Sequence, residues 1–238
     1  MSRPPDSPHT LQQAIRQGAV WRGDRCPPIT ARPSGYPALD AQLPGGGWGL
    51  GQINELLHRP GQGELALLLP ALRRVAEEGR PILLVAPPWI PYAPAWAQAG
   101  IPLAQLVWIR ATAADALWAL EQALAEPDCG AVLGWAGPRL DDRHARRLQL
   151  AARRGGGLGL LLRHGAPESV ASPFPLRLAV AAQGDGWRVR LLKRRGPPLS
   201  EPLYLTQPDS SFRPRPESPL PCHAGLLEFD ATPRRRAA

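Results

Sequence analysis

Five short, mostly apolar runs, at 53–57, 82–86, 106–109, 131–134 and 158–162, alternate with four longer stretches in which apolar residues recur every three or four positions. The short runs have strand length, and their apolar character fits strands buried on both faces. The intervening stretches, 63–78, 93–99, 113–125 and 141–153, have helical periodicity. Parallel strands need long crossover connections, and a helix is the usual crossover. The alternation therefore predicts an α/β fold with a mostly parallel, twisted sheet flanked by helices on both faces. Beyond it, residues 176–182 and 187–192 flank Gly184-Asp185-Gly186, the signature of an antiparallel hairpin that closes one sheet edge.

The 238 residues are 44% hydrophobic, enough for one domain with a substantial core. The chain also carries 24 glycines and 30 prolines, which predicts many turns and non-globular ends. We divide it into an N-terminal helix and linker at 1–34, the α/β domain at 35–205, and a disordered, proline-rich tail at 206–238. In the first segment, Leu11, Ala14 and Ile15 have helical spacing. In the last, Leu226-Leu227-Glu228-Phe229-Asp230 is an apolar and acidic island suited to docking on a partner. The formal charge of +8 comes almost wholly from arginine, with Lys193 the sole lysine, and favours nucleic acid or an acidic protein surface as partner. Three cysteines, Cys26, Cys129 and Cys222, have no metal-ligand spacing and are an odd number, which fits a reducing cytosol. With no leader-like or membrane-length apolar run, the expected location is cytoplasmic.

The first strand–helix junction reads His58-Arg59-Pro60-Gly61-Gln62-Gly63-Glu64-Leu65. A phosphate-binding loop stands at such a junction, where glycines aim backbone N–H groups at phosphates, a lysine reaches the outer phosphates and a hydroxyl binds magnesium. Aligned on Gly63, this chain has Glu64 where the lysine belongs and Leu65 where the hydroxyl belongs. Two like charges about 4 Å apart repel by roughly 4 kcal/mol at an effective dielectric of about 20. The loop Arg59, Gly61, Gly63, Glu64, Leu65 is therefore expected to reject a nucleoside triphosphate, and no cofactor is expected. A carboxylate in the first turn of a helix is also an ordinary cap, a reading that predicts the same.

Laid in order, several segments resemble the core of the RecA recombinase superfamily over about residues 35–200, and most of all the ImuA family of RecA-like accessory proteins of bacterial mutagenesis cassettes. They include Val20-Trp21-Arg22-Gly23, Gly35-Tyr36-Pro37-Ala38-Leu39-Asp40, Leu43-Pro44-Gly45-Gly46-Gly47-Trp48, Gly63-Glu64-Leu65-Ala66, Pro91-Tyr92-Ala93-Pro94 and Leu191-Leu192-Lys193-Arg194-Arg195-Gly196. The resemblance implies further losses. Pro87 and Pro88 occupy the region of the water-activating carboxylate, and Gly134 and Trp135 that of the magnesium aspartate. It thus implies a non-hydrolysing relative of an ATPase, with no catalytic or metal residues. As an ImuA-like protein it would bind RecA and ImuB and support an error-prone DnaE-type polymerase during SOS-induced translesion synthesis, associated with the nucleoid. The alternative is a SulA-like inhibitor of cell division that binds FtsZ.

Three surfaces are candidates for partner binding. Lys193, Arg194 and Arg195 resemble the place where RecA carries lysines that reach a neighbour's nucleotide. Arg143, Arg146 and Arg147 form a basic stripe on helix 141–153, able to make weak, non-specific phosphate contacts with DNA. The tail island offers Leu226 and Phe229. Each also has a plain reading: a solvated turn, a solvated helix face and a chance patch. His58 reads as a polar histidine with its hydrogen bonds made, Trp108 and Trp118 as core, and Trp48 and Trp89 as loop residues facing a partner.

Overall fold

A computed structural model describes residues 29–137, 140–199, 201–206 and 227–230. Strands β1 (Ala31–Arg32) and β2 (Trp48–Gly49) pair antiparallel in a small separate sheet, with helix α1 (Pro37–Asp40) between them. Then follow β3 (Gln52–His58), α2 (Glu64–Glu77), β4 (Ile82–Val85), α3 (Ala93–Gln98), β5 (Leu106–Arg110), α4 (Ala116–Ala125), β6 (Ala131–Ala136), α5 (Asp142–Gly155) and β7 (Leu158–His164). The hairpin strands β8 (Leu176–Gln183) and β9 (Gly186–Lys193), then β10 (Leu203–Thr206) and β11 (Leu227–Asp230), complete the order.

All strands from β3 onward join one nine-stranded sheet in the order β10-β9-β8-β3-β7-β6-β4-β5-β11. Every pair from β8 to β11 across that order is parallel, whereas β8-β9 and β9-β10 are antiparallel, so the closing hairpin lies where the sequence predicts it. Strands β3 and β4 follow one another in the chain but are separated in the sheet by β7 and β6. Neighbouring connections diverge at such a place, leaving a crevice at the carboxyl ends of the strands where ligands bind in open α/β sheets.

Two apolar layers sandwich the sheet. Helix α2 buries Leu67, Leu68, Ala71, Leu72 and Val75 in one of them, together with Leu39 and Trp48 from the N-terminal segment. On the other face α4 contributes Ala119, Leu120, Ala123 and Leu124, and α5 contributes Ala145, Leu148 and Ala152. Gly134 has to be glycine in this second layer, because a Cβ there would stand 2.5 Å from Leu120 Cδ1.

Three expectations need correction. Trp48 is wholly buried rather than presented to a partner, because β2 folds it into the layer under α2. Trp118 is 47% exposed: the inward face of α4 is taken by Ala119, Leu120, Ala123 and Leu124. Leu227–Asp230, expected to be disordered, forms a strand parallel to β5, whose outer backbone groups need a partner. Trp108 is half-buried, and Trp89 is 75% exposed, as its loop position suggests. The expected N-terminal helix and Leu226 lie outside the described residues.

Candidate functional site

The loop between β3 and α2 turns through Gly61 and Gly63, whose φ angles of 79° and 74° are left-handed and favour glycine. It is fastened on its outer side: the Trp187 indole N–H donates to the Gln62 carbonyl at 3.2 Å, and the Ala182 N–H donates to Gln62 Oε1 at 3.2 Å. On its inner side Glu64 turns back into the loop. Its Oε2 accepts the Gln62 backbone N–H at 3.1 Å, and its Oε1 lies 3.4 Å from His58 Nδ1. A backbone donor that an anion could use is thus held by the chain's own carboxylate.

His58 ends β3 with its side chain only 3% exposed, and neither ring nitrogen makes a well-formed hydrogen bond among the described residues. The polar surroundings of the ring are the Glu64 carboxylate and the Arg59 backbone. Burial lowers its pKa below the ordinary value, and the attraction of Glu64 only partly opposes this, so the ring is neutral at neutral pH. His164, its register partner on β7, pushes in the same direction as burial. A cavity of about 540 Å³ opens beside the pair, lined by Leu57, His58, Arg59, Glu168, Arg188 and Arg190. Arg190 is ion-paired with Glu168.

The neighbouring strand ends carry no acid. After β4 the backbone passes through Ala86 with a φ of 49°, strained for a residue with a Cβ, into Pro87-Pro88. The loop then presents Trp89, Ile90 and Tyr92, all more than half exposed. Strand β6 ends Gly134-Trp135-Ala136. No group of three or more potential metal ligands occurs among the described residues.

Below the loop lies a cluster that sequence reasoning missed. Glu55, fully buried in the middle of β3, meets Arg163 of β7 at 2.8 Å and Arg177 of β8 at 3.1 Å. Arg163 also donates to the Gly137 carbonyl at 3.3 Å, while Arg177 donates to the carbonyls of Pro167, Glu168 and Val170. The cluster ties three adjacent strands to the loops that follow β6 and β7. Its one local signal is an acid, next to Asn54, inside a strand expected to be buried on both faces; its partners lie too far along the chain to be read by spacing.

The candidate basic surfaces differ in how free their charges are. Lys193 Nζ donates to the Ser172 carbonyl at 2.6 Å, Arg194 donates to the carbonyls of Pro197 and Gln42, and Arg195 is likewise engaged. That turn directs its donors to its own chain. On α5, Asp141 caps the helix by accepting the His144 N–H at 2.7 Å, and Arg147 pairs with Glu121 at 2.7 Å. Arg143 and Arg146 are exposed, as are Arg153 and Arg154.

Comparison with known proteins matches residues 51–159 to the family described as cell division inhibitor SulA. Cell division inhibitor SulA of Edwardsiella piscicida is 35% identical over 114 residues, which cover 47% of this chain and 67% of that protein. Protein ImuA of Caulobacter vibrioides is 30% identical over 171 residues, covering 69% of this chain and 70% of the relative. The chain belongs to the SulA/ImuA-related family. SulA/ImuA relatives differ in how much of their length it spans, for it covers only 55% of the SulA of Photorhabdus laumondii. A crystal structure of SulA from Pseudomonas aeruginosa matches 48% of this chain and 98% of its own, at 28% identity and a TM-score of 0.41. The family association is with the SOS response, and the matched segment, residues 51–159, runs from β3 through α5 to the first residues of β7.

Proposed function

We propose that this chain is a non-catalytic accessory factor of SOS-induced translesion synthesis that binds RecA and ImuB and so supports an error-prone DnaE-type polymerase. In this reading it is a RecA-like core whose phosphate site has been closed from within, working in the cytoplasm near the nucleoid. The supporting observation is the Glu64 carboxylate, which accepts the Gln62 N–H inside the loop and places a negative charge beside Gly63. A phosphate brought there would lose that donor and meet repulsion worth several kcal/mol. Pro87, Pro88, Gly134 and Trp135, at the ends of β4 and β6, supply neither a general base nor a metal ligand.

The similarity to ImuA extends over 69% of this chain, against 47% for the SulA of Edwardsiella piscicida, and favours the mutagenesis role. Trp89, Ile90 and Tyr92 at the carboxyl end of the sheet are the best-placed anchors for a protein partner, since exposed aromatics supply much of the energy of interfaces. Arg143 and Arg146 provide the weak, sequence-independent DNA contact. The second reading, division inhibition through FtsZ, is favoured by the SulA similarity centred on residues 51–159. Purified RecA, ImuB and FtsZ, each offered to the immobilised chain, separate the two. Retention of RecA and ImuB supports the first reading, and retention of FtsZ alone replaces it with the second.

A further inference from the structure

A strand distant in sequence, β11, covers the outer edge of β5. Its sequence, Leu106-Val107-Trp108-Ile109-Arg110, is apolar and rich in strand-forming residues, and such an edge left bare invites another strand. The chain covers it with β11, in the parallel register Leu227 to Val107, Glu228 to Trp108, Phe229 to Ile109 and Asp230 to Arg110. The match is chemical on both faces. Leu227 and Phe229 continue the apolar row of Val107 and Ile109. On the other face Glu228 pairs with Arg110 at 2.8 Å, and Asp230 adds a second negative charge near the same guanidinium, which lies 5.9 Å from the Trp108 ring centroid.

The covering strand is nevertheless weakly held. All four of its residues are exposed, with Leu227 at 48% and Phe229 at 58%, and its ion pair is open to solvent. It also arrives from far away. β10 and β11 are the opposite edges of a nine-stranded sheet, eight strand spacings or about 38 Å apart. The stretch of chain from Thr206 to Leu227 can reach about 70 Å when extended, more than the crossing requires. A short, exposed strand whose two faces fit its acceptor is a replaceable occupant.

We propose that the β5 edge is a docking surface for an extended partner segment that alternates apolar and acidic residues, and that Leu227–Asp230 is its resident, displaceable occupant. Partner and tail compete for one backbone ladder, the mode in which a peptide adds a strand to a sheet edge. The tail thereby keeps the edge from non-specific pairing until a better-matched segment arrives. This surface is separate from the β3 loop, and the inference stands whichever protein partner the family role requires.

The test uses the full chain carrying Glu228→Pro and Phe229→Pro together, since one of two consecutive N–H groups must serve the ladder and proline has none. A fluorescent peptide of residues 224–232 should bind this variant at least tenfold more tightly than it binds the unaltered chain, whose own tail competes. Adding Arg110→Glu should weaken binding, and a peptide carrying Glu228→Arg should restore it. Hydrogen exchange at the alternate amides of Leu106–Arg110 should be slow in the unaltered chain and faster in the proline variant. Absence of saturable peptide binding to the variant, equal binding to both proteins, or unchanged exchange would each overturn the proposal. Protection that rises with protein concentration would also overturn it, by showing that a second copy supplies the strand.

Discussion

Glu55 and Glu64 sit on the same strand–loop–helix unit, one in the middle of the sheet and one just beyond its carboxyl end, and they do different work. Glu55 is sealed between two arginines and holds three strands and two loops in place. Glu64, near the surface, contacts His58 and the Gln62 N–H, and shapes a loop. The first acid frames the sheet from inside, while the second occupies a backbone donor of the loop beyond it. Altering the first should cost stability, and altering the second should change what the loop accepts.

The largest effect is expected at the centre. Glu55→Ala leaves Arg163 and Arg177 buried without their acid, and breaking a buried pair in this way costs about 3–5 kcal/mol. Thermal unfolding should show a fall of roughly 10 °C or more in melting temperature. Glu64→Gln should cost only about 0.5–1 kcal/mol, the scale of a carboxylate at a helix N-terminus, while increasing the loop's uptake of inorganic phosphate in a calorimetric titration. If Glu64→Gln proved as destabilising as Glu55→Ala, the two regions would not be distinct.

The histidine between these regions gives a pH test. His58 has a lowered pKa in the folded chain, so below about 6.5 the unfolded chain binds the extra proton first and stability falls as pH drops. Above that pH the penalty vanishes. His58→Phe should flatten this slope in denaturant titrations run between pH 7 and pH 5, and an unchanged slope would assign it to other groups. The smallest expected effect on stability belongs to the α5 surface. Arg143→Glu with Arg146→Glu should change stability by less than about 0.5 kcal/mol per site. It should reduce the salt slope of any DNA binding by about 0.9 for each phosphate that is no longer neutralised.

Much of this architecture could be read from the sequence, because the alternation of short apolar runs with helical spacing is a local signal. Strands β3 to β7 and the hairpin Leu176–Gln183 with Gly186–Lys193 fall within a few residues of their expected bounds. Features that depend on distant partners were illegible. The tryptophans were misplaced because Trp48 is drawn inward by the small β1-β2 sheet, while the outward face of α4 carries Trp118. The island at Leu226–Asp230 stood out in the sequence, but that Leu227–Asp230 would pair as a strand with the distant edge of β5 could not be read locally. At the site, the sequence placed Glu64 at the start of the helix after β3 but did not show that its carboxylate would take the Gln62 N–H, nor that His58 would be buried beside it.

Titration calorimetry of the intact chain with adenosine triphosphate and magnesium tests the closed loop most directly. No saturable heat is expected at millimolar nucleotide, and weak uptake of phosphate is expected only once Glu64 has lost its charge. Tight binding that requires magnesium and disappears on altering Arg59 would contradict a loop closed by its own carboxylate.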